Sequence, residues 1–409
     1  MTKTLISFLG TGSLEKNDSN GSLKSSRQYR TSKYRIENAE YDSPFISDAL
    51  RRHFNYDQHI IIGTVRSMWE EAYRVFAGED NINADIYLSL SEFCINANHK
   101  TKLDEFPYKN ELESVFGNNG KVILIHYGIS QQEIEQNTRI IAGIEQYLAY
   151  DTEISLDITH SFRSLPLYFM NLLIYLETVS KKRLKVDAIY YGMLDVYREL
   201  NYAPVVDLSS VLKMNKWITG AYLFKEYGNA RLISSLMEQE NKSLATQLKN
   251  YSEANSINSV AAIKQEVKKL SALKFDALSP IPAMIIPDAV GEFVDAFKDI
   301  EVFSLFQYEL AGWHYRKGNY GHAYMMLAEA VITSACEDLE IHYDKEASRK
   351  EAKERIWTEN SLFGSKRSIY NKVNKTRNII VHSLENDKKI HGMIADFSSF
   401  YDKLEPLFK

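Results

Sequence analysis

The sequence predicts two parts of different fold class: an α/β domain built on a parallel sheet, followed by an all-α domain. In the first half, short apolar runs alternate with longer segments of helical periodicity. This pattern is typical of a parallel sheet with helices on both faces. From about Leu212 strand-like runs vanish, and Ser279-Pro280-Ile281-Pro282 interrupts the helical patterns that follow. We therefore predict domains at 1–211 and 281–409, joined by a helical linker region at 212–280.

Six short strand-like segments predict the strands of the sheet. They are Leu5–Leu9, His59–Ile62, Ile86–Leu90, Val122–Ile125, Glu153–Asp157 and Asp187–Tyr191. Segments with apolar residues at helical spacing predict the connecting helices, which are Phe45–Phe54, Trp69–Phe76, Gln131–Tyr150 and Phe162–Ser180. Such sheets bind ligands at the C-terminal ends of their strands, where the loops gather.

The predicted strand ends carry small residues, hydroxyl groups and hydrogen-bond donors. They read Gly10-Thr11-Gly12-Ser13, Gly63-Thr64-Val65-Arg66-Ser67, His126-Tyr127-Gly128, Asp157-Ile158-Thr159-His160-Ser161-Phe162-Arg163 and Tyr191-Gly192-Met193. Glycine lets a backbone approach a phosphate closely, and serine and threonine offer N–H and O–H groups to it. The strand ends therefore favour a ligand that carries phosphate.

The second half predicts helices throughout. Leu232–Leu273 fits two polar helices that link or cap. The later helical patterns cover Phe293–Lys317, Tyr320–Leu339, Ser348–Trp357, Ser365–His382 and Lys389–Leu407.

The bulk composition excludes several classes of protein. The 409 residues carry a formal net charge of −5, so any contact with a nucleic acid would have to be local rather than spread over a basic surface. Two cysteines, Cys94 and Cys336, are too few for a disulfide scaffold or a four-ligand zinc site, and we expect buried thiols. No apolar run reaches the roughly 20 residues that span a bilayer, and the N-terminus lacks a signal-peptide cleavage site. We expect a soluble cytoplasmic protein.

Three polar residues near the end of the helix Ser365–His382 suggest chemistry. Asn378 and His382 are four residues apart and project from one face, and the long side chain of Arg377 can bend toward the same site. Arginine presents a planar donor fork to phosphate, and histidine titrates near neutrality. Metal-independent ribonuclease chemistry needs both a proton-transfer group and a group that stabilises charge on the phosphorus oxygens.

The residues around this motif are mostly basic, in an acidic chain. They are Lys366, Arg367, Tyr370, Asn371, Lys372 and Lys375. Positive charge beside an aromatic ring is typical of a groove that binds single-stranded nucleic acid. A solvated basic helix face explains the same residues without any chemistry, so the spacing alone leaves both interpretations open.

Motifs in the two halves resemble parts of one family. Arg377-Asn378-x3-His382 matches the R-x(4–6)-H signature of HEPN ribonuclease domains, and Trp313–Ala330 resembles the antiparallel helix pair of that domain. Asp157–Pro166 resembles the D-x-T-H-x-F-R-x-L-P stretch of Rossmann-like CARF domains, and Leu9–Gly12 with Tyr29–Tyr34 fits the same domain. Together they resemble the CRISPR-associated CARF–HEPN ribonucleases of type III systems, over nearly the whole chain.

The resemblance implies a sensor and an effector in one chain. A cyclic oligoadenylate would bind across a CARF homodimer and switch on cleavage of single-stranded RNA by the HEPN dimer, without a metal or other cofactor. Cyclic tetra-adenylate is our first choice and hexa-adenylate the second, because an even-numbered ring suits a symmetric dimer. The candidate ligand-binding residues are Gly10, Thr11, Gly12, Ser13, Thr64, Ser67, Tyr127, Thr159, His160, Ser161, Arg163 and Met193.

In the HEPN site the resemblance implies roles for individual residues. Arg377 would stabilise the charged phosphorane, His382 would act as general base or acid, and Asn378 would orient the phosphate or His382. Glu329, on the neighbouring helix, would pair with a basic residue and serve structure. We expect Asp157 to be a loop-fixing hydrogen-bond acceptor, because a carboxylate against a phosphate is unfavourable.

Rival classes explain less of the chain. A nicotinamide-dependent oxidoreductase needs a third glycine where Glu15 stands. A non-catalytic nucleotide sensor or regulator leaves the pair Arg377 and His382 unexplained, and a HEPN toxin leaves the large ligand-binding half unexplained. The sequence leaves open whether the CARF residues also degrade the activator, and whether dimers assemble further.

Overall fold

The structure is a computed structural model that describes residues 2–11, 31–117, 119–160, 164–272, 278–359, 363–364, 366–382 and 390–409. The chain divides into two compact units, Met1–Lys213 and Met214–Lys409. The predicted fold class is confirmed: a mixed α/β unit is followed by a helical one. No helix in the described ranges is both long and apolar enough to cross a membrane.

The described part of the first unit contains one sheet of eight strands in the order β3-β2-β8-β7-β6-β1-β4-β5. The strands are β1 Thr2–Leu9, β2 Ser32–Ile36, β3 Ala39–Ser43, β4 Gln58–Gly63, β5 Lys121–Leu124, β6 Thr152–Asp157, β7 Lys185–Gly192 and β8 Ala203–Asp207. Strands β5, β4, β1, β6 and β7 run parallel to one another, and β8 pairs with β7 in the antiparallel direction. The C-terminal ends of the five parallel strands therefore share one edge.

Helices cover both faces of the sheet. They are α1 Ile46–His53, α2 Trp69–Ala77, α3 Ala84–Asn96, α4 Lys109–Val115, α5 Gln131–Ala142, α6 Leu165–Thr178 and α7 Tyr197–Leu200, with α8 Ser210–Tyr227 crossing the division between the units. Ile60 and Ile62 of β4 join the core under α5 and α6, and Ile61 joins the core under α2, α3 and α4. Successive side chains of a strand point to opposite faces, so a strand buried on both faces is an unbroken apolar run.

One predicted strand is wrong and three observed strands were not predicted. Ile86–Leu90 lies inside α3, where Asn83 caps the helix and Leu90 and Cys94 are buried on one face. A five-residue apolar run fits either structure, and here the cap and the four-residue spacing favour the helix. Strands β2, β3 and β8 are short and partly exposed, so they lack the apolar run that identified the others.

The second unit is helical throughout its described part. Its helices are α9 Arg231–Met237, α10 Lys242–Ser256, α11 Val260–Ser271, α12 Pro280–Ile286, α13 Glu292–Phe297, α14 Phe303–Arg316, α15 Tyr320–Asp338, α16 Glu346–Thr358, α17 Lys366–His382 and α18 Ile390–Leu404, with a π-helical turn Pro287–Gly291 between α12 and α13. Pro280 starts a helix, as proline does at a first helical position. The predicted helix Phe293–Lys317 is interrupted before α14, where the Lys264 ammonium donates to the carbonyls of Ile300 and Glu301.

A single hydrophobic core extends through this unit, from Trp217 to Leu404. Residues of α9, α10 and α11 share it with residues of α13 to α18. The division at 213/214 lies two residues from the predicted boundary at 211/212, and the structure has no corresponding division near 280. The assignment of 281–409 to a HEPN domain stays a prediction. Cys94 and Cys336 are buried, as the sequence predicted.

Candidate functional site

The strand-end loops of the first unit meet at the C-terminal edge of the parallel sheet. Gly10 and Thr11 follow β1, Thr64 follows β4, Thr159 and His160 follow β6, and Met193 follows β7. Strands β1 and β4 are neighbours, and the chain continues from β1 to β2 on one side of the sheet but from β4 to β5 on the other. Ligands of open α/β sheets bind at such a switch point. Gly12, Ser13, Ser161 and Arg163 lie outside the described residues.

Thr64 and Ser67 are fully buried and hydrogen-bonded within the protein. The Ser67 hydroxyl donates to the carbonyl of Leu9 at 2.7 Å, and the Thr64 amide donates to the Ser67 oxygen at 3.0 Å. The Trp69 indole donates to the Thr64 carbonyl at 2.9 Å. These bonds join the end of β4 to the end of β1. The two side chains therefore position the Gly10 loop, and their direct contact with a ligand stays a prediction.

Asp157 and Thr159 connect the ends of β6 and β7. The Thr159 amide donates to Asp157 Oδ1 at 2.9 Å, and the Gly192 amide donates to the Thr159 hydroxyl at 2.8 Å. This is the loop-fixing role expected of Asp157. Its carboxyl group is fully buried, and burial raises its pKa to about 7, whereas the hydrogen bonds from Thr159 act in the opposite direction.

His160 and Tyr127 border the same edge and are half-buried. The His160 ring meets Phe45 edge to face, with the ring centroids 6.2 Å apart. Burial lowers the pKa of His160 to about 4, so the imidazole is neutral at pH 7. A neutral imidazole can donate or accept a hydrogen bond without adding charge to a phosphate site. The contact of His160 with a ligand stays a prediction.

In the second unit, Arg377 of α17 lines a cavity of about 510 Å³. The cavity also contains Glu329 of α15 and Arg349 of α16. An Arg377 nitrogen donates to Glu329 Oε1 at 2.8 Å, and the Arg349 guanidinium binds the other oxygen of the same carboxylate. Arg349 donates further to the hydroxyl of Thr333 at 3.2 Å. Three helices thus hold Arg377 in place through one carboxylate, as expected for a basic partner of Glu329.

The charges that line this cavity balance. Arg349 and Arg377 are cationic, and Glu329 and Asp344 are anionic. A phosphate that binds Arg377 must therefore compete with the carboxylate of Glu329 for the same guanidinium. Two of the Arg377 donors are already used, by Glu329 and Asn378, so a phosphate would share the guanidinium with them.

The other two predicted catalytic residues follow Arg377 along α17. Asn378 is half-buried, and its side-chain oxygen accepts a hydrogen bond from Arg377 at 2.8 Å. His382 is the last residue of the helix and is exposed. Asn378 thus positions Arg377 in this state, and the predicted catalytic roles of all three residues remain untested.

Two residues of this site were missed from the sequence. Arg349 shares the carboxylate of Glu329 with Arg377, and Gln307 of α14 lines the cavity with a buried carboxamide. Neither belongs to a motif, and they lie 28 and 70 positions before Arg377 in the chain. The sequence signals were only the helical patterns Ser348–Trp357, which contains Arg349, and Phe293–Lys317, which contains Gln307.

The comparisons with known proteins define the class of the first unit. Residues 4–195 match the family model of the CARF domain of the CRISPR system endoribonuclease Csx1. The first unit therefore matches a CARF domain, as the sequence led us to expect. Residues 213–304 match the model of the second domain of the CRISPR-associated protein MJ1674. This match begins at the division between the units and crosses the predicted boundary at 280.

A related protein and a solved structure also match most of the chain. The chain is 34% identical over 356 residues to the CRISPR-associated protein MJ1674 of Methanocaldococcus jannaschii, which covers 82% of this chain and 54% of the relative. The chain thus spans about half the length of that relative. Enterococcus italicus Csm6 bound to cyclic hexa-2'-fluoro-hexa-dAMP aligns with 100% of this chain and 94% of its own, at 11% identity and a TM-score of 0.43. A likeness at that level supports no statement about this chain's ligand.

Proposed function

We propose that this chain is a metal-independent endoribonuclease that cyclic oligoadenylate activates to cleave single-stranded RNA in type III CRISPR antiviral defence. One observation carries the proposal: Arg377 lies in a cavity of the helical unit, with His382 five residues further along the same helix, in a chain that begins with a CARF domain. The proposed protein is a cytoplasmic homodimer, with one Arg377–His382 set from each protomer.

The chemistry assigned to these residues is an internal phosphoryl transfer. The ribose 2′-oxygen attacks the adjacent phosphorus while His382 accepts the 2′-hydroxyl proton. The bond from phosphorus to the 5′-oxygen breaks, and that oxygen takes a proton from the protonated histidine of the second set. Arg377 stabilises the extra negative charge on the phosphorus oxygens. The products are a 2′,3′-cyclic phosphate and a 5′-hydroxyl.

The pairing of Arg377 with Glu329 suggests how such an enzyme stays silent. While the carboxylate occupies the guanidinium, the phosphate lacks its charge-stabilising partner. We assign the activator to the strand-end edge of the CARF unit, with cyclic tetra-adenylate as first choice. There the backbone of the Gly10 loop would contact phosphate, and Thr159 and His160 would contact ribose or phosphate. Ligand closure would then shift the catalytic helices by a small distance, which can change the rate strongly.

The test is a cleavage assay with the full chain. Labelled single-stranded RNA is incubated in EDTA, with no activator or with cyclic tri-, tetra- or hexa-adenylate. We expect cleavage with one ring size, and its loss in His382→Ala. His391→Ala is the matched control, because His391 is also an exposed histidine but lies on α18.

Two outcomes contradict the proposal. If no cyclic oligoadenylate triggers RNA cleavage, the proposed enzymatic activity is wrong. Tight binding of one of them without cleavage then identifies a non-catalytic sensor. Full activity in His382→Ala overturns the assignment of the site.

A further inference from the structure

We infer that the cavity beside Arg377 holds a nucleobase of the RNA next to the cleaved phosphate, and that Gln307 selects bases with an exocyclic amine. The inference rests on the proposed function, whose substrate preference it specifies. Adenine and cytosine carry this amine on the ring carbon where guanine and uracil carry a carbonyl oxygen, and the guanine amine lies at a different ring position. The chain should therefore prefer adenine or cytosine to uracil.

The shape and lining of the cavity suit a flat, mostly apolar group. Its volume of about 510 Å³ lies in the range of roughly 300–1,000 Å³ that small-molecule pockets occupy. Its apolar lining consists of Val260, Ala261, Phe303, Met325, Met326, Tyr343 and Val381. Phe303 and Tyr343 stack with their centroids 4.8 Å apart, and Tyr343 is 37% exposed. An aromatic pair with one accessible ring is a platform on which a base can stack.

Gln307 supplies the observation that points to a polar ligand. It is only 5% exposed, and its Oε1 has no hydrogen-bond partner among the residues that the structure describes. A buried carbonyl oxygen without a partner is uncommon, because desolvation leaves its lone pairs unsatisfied. The residue lines the cavity, so a ligand there can provide the missing donor. Carboxamide side chains pair with adenine in this way, donating to one ring nitrogen and accepting from the amine.

The position of the arginines favours a nucleotide over an unrelated amine or amide. Arg349 and Arg377 line the same cavity as Gln307, so one ligand can place a base against the carboxamide and a phosphate near the guanidinium groups. In the carboxamide orientation of this structure, uracil would set its carbonyl oxygen against Gln307 Oε1, and two acceptors repel each other. One such mismatch changes affinity by about tenfold or more.

The experiment compares nucleotide binding in matched variants of the full chain. The probes are adenosine, cytidine and uridine 3′-monophosphate, titrated by calorimetry. We expect the wild type to bind the first two about tenfold more tightly than the third, and Gln307→Leu to reduce this ratio to near one. Gln247→Leu is the control, since Gln247 also has a buried Oε1 without a partner in the described chain but lies on α10, outside the cavity lining.

A second variant keeps the test decisive if Gln307→Leu does not fold. Ala261 is exposed at the cavity, so Ala261→Trp fills its mouth without disturbing the core and should abolish binding of the adenosine probe at this site. Equal binding of the three probes by the wild type, or an unchanged ratio in Gln307→Leu, overturns the inference.

An RNA cleavage assay, read together with probe binding, distinguishes a failure of the base pocket from a failure of the proposed nuclease function. RNA cleavage without a base preference, together with equal probe binding, refutes the base pocket and leaves the nuclease intact. A probe preference that Gln307→Leu removes, in a chain that cuts no RNA with any activator, refutes the nuclease and supports the pocket.

Discussion

Replacing Asp157 with asparagine should stabilise the CARF unit at pH 8 and change it little at pH 4. The carboxyl group is fully buried at the end of β6, with Oδ1 accepting from the Thr159 amide and Oδ2 without a partner among the described residues. Burial raises its pKa from 3.8 to about 7. Asparagine keeps the Oδ1 acceptor and the shape of the protonated acid, but it cannot ionise.

The magnitude follows from the difference between the folded and unfolded pKa of Asp157. Between pH 4 and pH 7 the unfolded chain has lost the proton and the folded chain has kept it, so wild-type stability falls as the pH rises. Each pH unit in this window lowers the free energy of unfolding by about 1.4 kcal/mol, and the loss levels off above pH 7 at about 4 kcal/mol. Asp157→Asn does not suffer this loss.

Hydrogen–deuterium exchange of peptides from β6 measures the effect in the full chain. Variant and wild type are compared at the same pH, so intrinsic exchange rates cancel. We expect similar protection at pH 4 and much greater protection of the variant at pH 8. Asp187→Asn is the control, because Asp187 is an exposed residue of the neighbouring strand β7. A variant advantage that is equal at pH 5 and pH 8, or a less protected variant at pH 8, would refute the argument.

Two further predictions concern the helical unit. Burial, with a smaller effect from a neighbouring histidine, lowers the pKa of His314 to about 3, so the unfolded chain binds a proton below pH 6.5 that the folded chain does not. Acidification from pH 7 to pH 5 should therefore cost about 2 kcal/mol in urea unfolding, and a His314→Leu variant with the same pH dependence would contradict this. Gly228 has φ +67°, and a Cβ there would lie 2.3 Å from Trp313. Gly228→Ala should lower the free energy of unfolding by at least about 2 kcal/mol, and Gly291→Ala, with open space around its Cβ, should not; equal effects would be the contrary result.

Prediction from the sequence succeeded where one segment carries its own signal. Strands β1 and β4 are buried on both faces, so each contains an apolar run that is recognisable regardless of its neighbours. Prediction failed where contacts outside the segment decide its structure. Ile86–Leu90 lies in a helix because the Asn83 cap and the buried face with Leu90 and Cys94 outweigh its apolar run. The edge strand β3 is half-exposed and is held by its pairing with β2.

The same division applies to the candidate site. The sequence alone placed Arg377, Asn378 and His382 on one helix and identified the Asp157 loop, because helix periodicity and a local motif depend on neighbouring residues. Only the tertiary structure decided that Glu329 holds Arg377 and Arg349 together and that Gln307 lines the same cavity. Such contacts join residues that are 20 to 70 positions apart in the chain, and they arise from the packing of helices around a shared core. No local pattern encodes which side chains that packing brings into contact.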